Sequence, residues 1–154
     1  MGEVVLALDV GDARIGVARG EVGSRLAFGR GAIRRGRQAD DVAEVARRAR
    51  EEGAARVVVG LPTRTDGRDS KQTQRVRAFA RALEAAEVPV AFEDERFTTR
   101  IAEREIAHGP LPAAKRRDKG RVDEASAVLI LESWLARQED AAPAPTEPRE
   151  VDGP

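Results

Sequence analysis

The chain has 154 residues, with 27 basic and 27 acidic side chains and no cysteine. That length fits one ordinary domain with a real core, and the missing cysteine excludes a disulfide scaffold or a thiolate metal site and fits a reducing cytoplasm. No apolar run approaches the ~20 residues of a membrane span and the N-terminus lacks the pattern of a signal peptide, so a cytoplasmic protein with no membrane partner is expected.

The balance of charge is uneven. The stretch Glu139–Pro154 carries Glu139, Asp140, Glu147, Glu150 and Asp152 against Arg149 alone, which leaves Met1–Gln138 mildly basic. A mildly basic domain suits a nucleic-acid partner without requiring one.

In chain order, Val4–Gly11 is an apolar run that ends in a carboxylate, Asp9, and reads as a buried strand. A charge there is costly unless it is solvated, paired or bound to a cation. Gly11 permits close approach to the backbone. Ile15-Gly16-Val17-Ala18 reads as a return strand, so Asp9 either stands at a sheet edge or caps the turn. Arg25–Ile33 is expected as a third, irregular strand, completing an antiparallel meander. Asp41 is expected to cap a helix carrying Val42, Val45, Ala46 and Ala49, stopped by Gly53. Arg56–Gly60 reads as a buried strand and Leu61–Asp69 as a loop with a turn at Asp66-Gly67. Ser70 can cap a helix bearing Val76, Phe79, Ala80 and Leu83. Val88–Phe92 is a further strand and runs into Glu93-Asp94-Glu95-Arg96. A short helix is expected from Thr98 or Thr99 to near His108-Gly109-Pro110. A basic loop, Lys115–Arg121, precedes the last helix, from Val122 to about Gln138. Residues 139–154, with Pro143, Pro145, Pro148 and Pro154, read as a disordered tail behind a domain of residues 1–138. Strands first, then helix and strand alternating, imply a mixed sheet with helices on both faces.

Three acidic positions could carry chemistry. Asp9 shares a strand face with Val5 and Ala7, and Glu95 shares one with Glu93 and Ala91, so both acids follow a small residue on one face. Asp123 heads the stripe Ala127, Ile130, Leu131 and Trp134 of the last helix, whereas Glu124 leans outward. Carboxylates gathered at one sheet edge repel without a counter-charge. Mg²⁺ or Mn²⁺ would supply it, and two ions ~4 Å apart could activate a water and stabilise a leaving oxygen of a phosphodiester. In the plainer alternative Asp9 caps a turn, Glu95 pairs with Arg96 or Arg100, and Asp123 simply begins a helix, where the dipole favours an acid. The basic residues Arg14, Arg96, Lys115, Arg116, Arg117, Lys119 and Arg121 are candidate phosphate contacts. With no Tyr, four Phe and one Trp, base stacking is not expected to dominate recognition. Trp134 reads as core, and His108, the single histidine, as a helix-end residue.

Taken together, Leu8-Asp9-Val10-Gly11 with Arg14-Ile15-Gly16-Val17-Ala18, Val59-Gly60-Leu61-Pro62 with Asp66-Gly67, Asp94-Glu95-Arg96-Phe97-Thr98-Thr99, and Asp123-Glu124-Ala125-Ser126-Ala127 with Ile130-Leu131 resemble the YqgF/RuvX family of Holliday junction resolvase-like and pre-16S rRNA nucleases. They run in the family's order over about Val4 to Leu135. One departure is Ser126, where the family commonly has alanine. The resemblance implies a ribonuclease H-like α/β fold, a five-stranded mixed sheet flanked by helices. It also implies a catalytic, metal-binding triad of Asp9, Glu95 and Asp123 that uses Mg²⁺ or Mn²⁺ on RNA or DNA. Pre-16S rRNA processing and branched-DNA resolution are the two roles it implies. A non-catalytic nucleic-acid-binding module would be favoured by loss of one acid, and all three are present. An actin-like phosphotransferase needs two lobes, and this length supplies one. No dimer-forming stripe stands out, so a monomer or weak homodimer is expected.

Overall fold

The structure, a computed structural model, describes residues 2–62, 70–95 and 119–141. The expected turn at Asp66-Gly67, the short helix from Thr98 or Thr99, Arg96, Lys115, Arg116, Arg117 and the tail beyond Ala141 lie outside them. In order come β1 (Val4–Val10), β2 (Arg14–Glu21), β3 (Ala27–Arg34), α1 (Gln38–Glu52), β4 (Ala54–Leu61), α2 (Lys71–Ala85), β5 (Val90–Asp94) and α3 (Lys119–Ala141).

The strands form one sheet in the order β3-β2-β1-β4-β5. β1 pairs antiparallel with β2, and β2 with β3. β4 lies parallel to β1 and β5 parallel to β4. The meander and the mixed sheet are therefore as expected. β1 is central and covered on both sides, which is why its sequence is a continuous apolar run. On one face Leu6, Leu8 and Val10 meet α1 and α2 through Val45, Phe79 and Leu83. Full burial of a side chain such as Phe79 or Leu83 is worth about 2–3 kcal/mol. On the other face Val5, Ala7, Ala18 and Val58 meet Ala127, Ile130, Leu131, Trp134 and Leu135 of α3. That second face is built of small residues, and the helix lies close to it. A Cβ at Gly20 would stand 2.9 Å from the Leu135 side chain.

Helix ends follow local chemistry, with two corrections. Ser70 caps α2 by accepting from the Thr73 N–H, and Gly53 ends α1 with φ 68°. Asp41 does not cap α1. The helix begins three residues earlier, behind Arg37, and Asp41 is a buried residue of its first turn. Its carboxylate reaches back to the Gly36 N–H at 3.1 Å and to Arg35 Nε at 2.8 Å. It thereby ties down the β3–α1 connection rather than the helix end. α3 also starts earlier than expected, so Lys119 and Arg121 belong to its first turns and not to a loop. At its other end α3 runs to Ala141, so the first residues assigned to the tail are helical, and Glu139 receives Arg25 Nε at 3.2 Å. Among the described residues no helix is long and apolar enough to cross a membrane.

Candidate active site

Asp9 is the sixth residue of β1 and pairs in register with Gly16 of β2. Because side chains alternate along a strand, Asp9 follows Val5 and Ala7 onto the face covered by α3. Glu95 comes one residue after β5, where its N–H donates to the Leu61 carbonyl at 3.1 Å. Glu93, two residues before it, pairs with Gly60. Asp123 lies near the start of α3, one turn before Ala127. The strand ends and the helix start thus share one edge of the sheet and one face.

Two glycines make that convergence possible. A Cβ on Gly16 would stand 1.9 Å from the Asp123 carbonyl oxygen. One on Gly60 would stand 2.5 Å from Ile130 Cδ1 and 3.1 Å from Glu95 Oε2. Glycine inside a strand marks such a close approach, and that was the available sequence signal for both.

The electrostatics tie the acids together through Asp9. Burial, and then the charge of Asp123, push the Asp9 carboxyl up to about 6, against a lowering hydrogen bond from the Ser126 hydroxyl. Burial, followed by the charges of Asp9 and Asp94, pushes Glu95 up to about 7. Asp9 thus feels the charge of Asp123, and Glu95 that of Asp9. Asp123 itself receives Arg14 Nε on Oδ2 at 3.2 Å. Arg14, expected on nucleic acid, is here the cation at Asp123. Glu124 does not lean into solvent as expected. It is half-buried, and its Oε2 accepts the Gly31 N–H at 2.6 Å, lying where a Cβ on Gly29 would stand. Gly31 has φ 78°, a left-handed conformation that glycine adopts without strain.

A cation fits this donor set by its chemistry. The candidate donors are hard carboxylate oxygens, and two of the carboxyls are held above their usual range by burial and by neighbouring acids, a cost that a bound cation would relieve. Among the described residues no group of three or more His, Cys, Asp or Glu side chains is gathered closely enough to hold a metal ion. A Mg²⁺-type ion ordinarily completes its shell with water and substrate phosphate. A cavity of about 260 Å³ opens on the opposite face of β1, lined by Val10, Gly11, Arg35, Gln72 and Arg75 among others. Its arginines are engaged: Arg35 by the Gly11 carbonyl and Asp41, Arg75 by Asp12. The acidic edge is the better candidate for chemistry.

A five-stranded sheet of this order, with acids at the C-terminal ends of β1 and β5 and at the head of a helix packed across the same face, defines an α/β domain of the ribonuclease H-like class. The solved structures agree in fold. Thermus thermophilus RuvC in complex with a Holliday junction substrate matches with a TM-score of 0.60 at 17% identity, over 91% of this chain and 98% of that one. A second Thermus thermophilus RuvC structure matches with a TM-score of 0.53 at 14% identity, over 89% of this chain and 96% of that one.

The family described as "RuvX: Holliday junction resolvase" matches residues 3–137. The protein of Thermus thermophilus named "Putative pre-16S rRNA nuclease" is 48% identical over 131 residues, 85% of this chain and 96% of the relative. "Ribonuclease YqgF" of Deinococcus radiodurans is 47% identical over 133 residues, 86% of this chain and 88% of the relative. The chain belongs to the RuvX family, a family of nucleases.

Proposed function

We propose that the protein is a divalent-metal-dependent nuclease of the cytoplasm that trims the 5′ end of pre-16S rRNA, with Asp9, Glu95 and Asp123 as its catalytic carboxylates. The observation that carries this reading is the shared sheet edge: Asp9 pairs with Gly16, a Cβ on Gly16 would meet the Asp123 carbonyl, and Glu95 is held just past β5 on Leu61, with Asp9 and Glu95 both raised. Groups with such shifts at a shared edge are the usual mark of a site built for charge that arrives with its ligands. The three carboxylates would hold one or two Mg²⁺ or Mn²⁺ ions. Bound there, the metal supplies an activated water and neutralises charge on the scissile phosphate.

The remaining work falls to the chain's own residues. The Ser126 hydroxyl donates to the Asp9 carboxylate and favours its charged form. Arg14 orients Asp123 through its ion pair, and a phosphate entering the site competes for that guanidinium. Arg96, Lys115, Arg116, Arg117, Lys119 and Arg121 contact backbone phosphates without reading bases. Stacking contributes little, as Trp134 is buried in the core.

A second reading, a Holliday junction resolvase-like nuclease, is favoured by the description of the matching family. The chemistry at phosphorus is the same in both, so only substrates separate them. Cleavage of end-labelled precursor rRNA, linear DNA and a four-way junction, side by side with Mg²⁺ or Mn²⁺, is the test. Preferential cleavage of the precursor supports the first reading. Preferential symmetric cleavage of the junction replaces it with the second. No cleavage of any of them refutes both.

A further inference from the structure

Glu93 is fully buried, with 0% of its surface exposed, and no step of the proposed chemistry uses it. Its Oε2 accepts the Ser133 hydroxyl at 2.6 Å, and its Oε1 accepts Arg137 Nη2. Ser133 and Arg137 are one helical turn apart on α3. The Arg137 side chain is half exposed, so its guanidinium keeps contact with water while reaching the buried acid. Glu93 thus joins the edge strand β5 to the helix that carries Asp123.

A buried carboxylate is a poor way to gain stability, since apolar residues of similar volume would do at least as well. Directed hydrogen bonds do something that an apolar seam does not: they fix how far a helix slides and rolls on a strand. Among the described residues β5 is hydrogen-bonded to a neighbouring strand on one side only, and Glu95 follows two residues after Glu93 on the same face. We propose that Glu93, clamped by Ser133 and Arg137, is a positioning residue that sets the place of Glu95 relative to Asp123, and through it the metal affinity and turnover of the site. This rests on the nuclease reading of that site. Glu93 touches no substrate, and it acts through Glu95.

The test compares Glu93→Gln and Ser133→Ala with Val45→Ala, a control in the core on the opposite face of the sheet. Ser133→Ala keeps the Glu93–Arg137 pair and is the milder variant should Glu93→Gln fold poorly. The readouts are the melting temperature, Mn²⁺ binding by calorimetry, kcat and KM on labelled RNA, and exchange of the Glu95 amide hydrogen, which reports its bond to Leu61. A displaced catalytic group costs turnover steeply. In Glu93→Gln we expect roughly ten-fold losses in kcat and in Mn²⁺ affinity, with KM nearly unchanged. Exchange at Glu95 should be faster, and Ser133→Ala should follow with smaller changes in the same direction. Val45→Ala should lose melting temperature alone. If the clamp variants match Val45→Ala in turnover, Mn²⁺ affinity and Glu95 exchange, the proposal is overturned. If the parent protein cleaves nothing, Mn²⁺ affinity and exchange still decide it: altered values in the clamp variants alone uphold the clamp while the nuclease reading fails, and unaltered values overturn both.

Discussion

Replacing Asp9 by Asn should make the metal-free protein more stable at neutral and alkaline pH while abolishing cleavage. The folded-state carboxyl titrates at about 6 instead of 3.8. Between those values the folded protein holds a proton that the unfolded chain has released. Stability from this group is therefore complete below the ordinary value and is lost as pH rises through about 6. A shift of about two units corresponds to roughly 3 kcal/mol at full effect. Asn has nearly the shape of Asp, and its carbonyl can still accept from Ser126. Removing the charge also relieves Glu95, whose carboxyl Asp9 pushes up. The assay is urea unfolding from pH 4 to 8 with a chelator present. The parent should lose stability across that range, and Asp9→Asn should lose much less and exceed it at pH 8 by about 2–3 kcal/mol. Mn²⁺ should then stabilise the parent more than the variant, by mass action. An Asp9→Asn protein less stable than its parent at pH 8, or one with the same pH dependence, would refute the view that Asp9 sits in a site strained by its own charge.

Gly16→Ala puts a methyl against the Asp123 carbonyl. The head of α3 has to move, and cleavage should fall at least about a hundred-fold with a destabilisation of about 3 kcal/mol or more, since the clash is with backbone, read by kinetics and melting together. Asp41→Ala strands the Gly36 N–H and removes the acceptor of Arg35 Nε and should cost about 2–3 kcal/mol in urea unfolding with turnover per folded molecule unchanged. Neutralising Lys115, Arg116 and Arg117 together should weaken binding alike across sequences and flatten its dependence on salt, by roughly one unit of slope for each phosphate no longer neutralised. An unchanged slope would mark the stretch as a solvated segment.

What could be read from the sequence was whatever has a local period. Alternation along β1 selected Asp9, alternation along β5 left Glu93 and Glu95 as the candidates on one face, and the stripe below Asp123 marked the buried face of α3. Pairings made across the chain left no such mark. Arg14 and Asp123 are 109 positions apart, and nothing near either announces the pair. Glu124 looks solvent-facing on its own helix. It is the bend of β3 at Gly31, closing over the head of α3, that supplies its partner. Asp41 looks like a cap because an acid before an apolar stripe usually is one. Here Gly36 and Arg35 claim its oxygens from the loop behind, and the backbone goes helical before reaching it. Glu93 and Glu95 share a face, so parity could not separate them. The placement of Ser133 and Arg137 shows that Glu93 is the acid clamped in the interior.

The catalytic role of the three carboxylates is tested most directly by single-turnover cleavage of 5′-labelled precursor rRNA by the parent protein and by Asp9→Asn, Glu95→Gln and Asp123→Asn, each with Mg²⁺, Mn²⁺ or chelator. Cleavage is expected from the parent only when metal is present, and from none of the three variants although all are folded and bind the RNA. Metal-independent cleavage by the parent, or wild-type turnover in any one of the variants, would contradict that role.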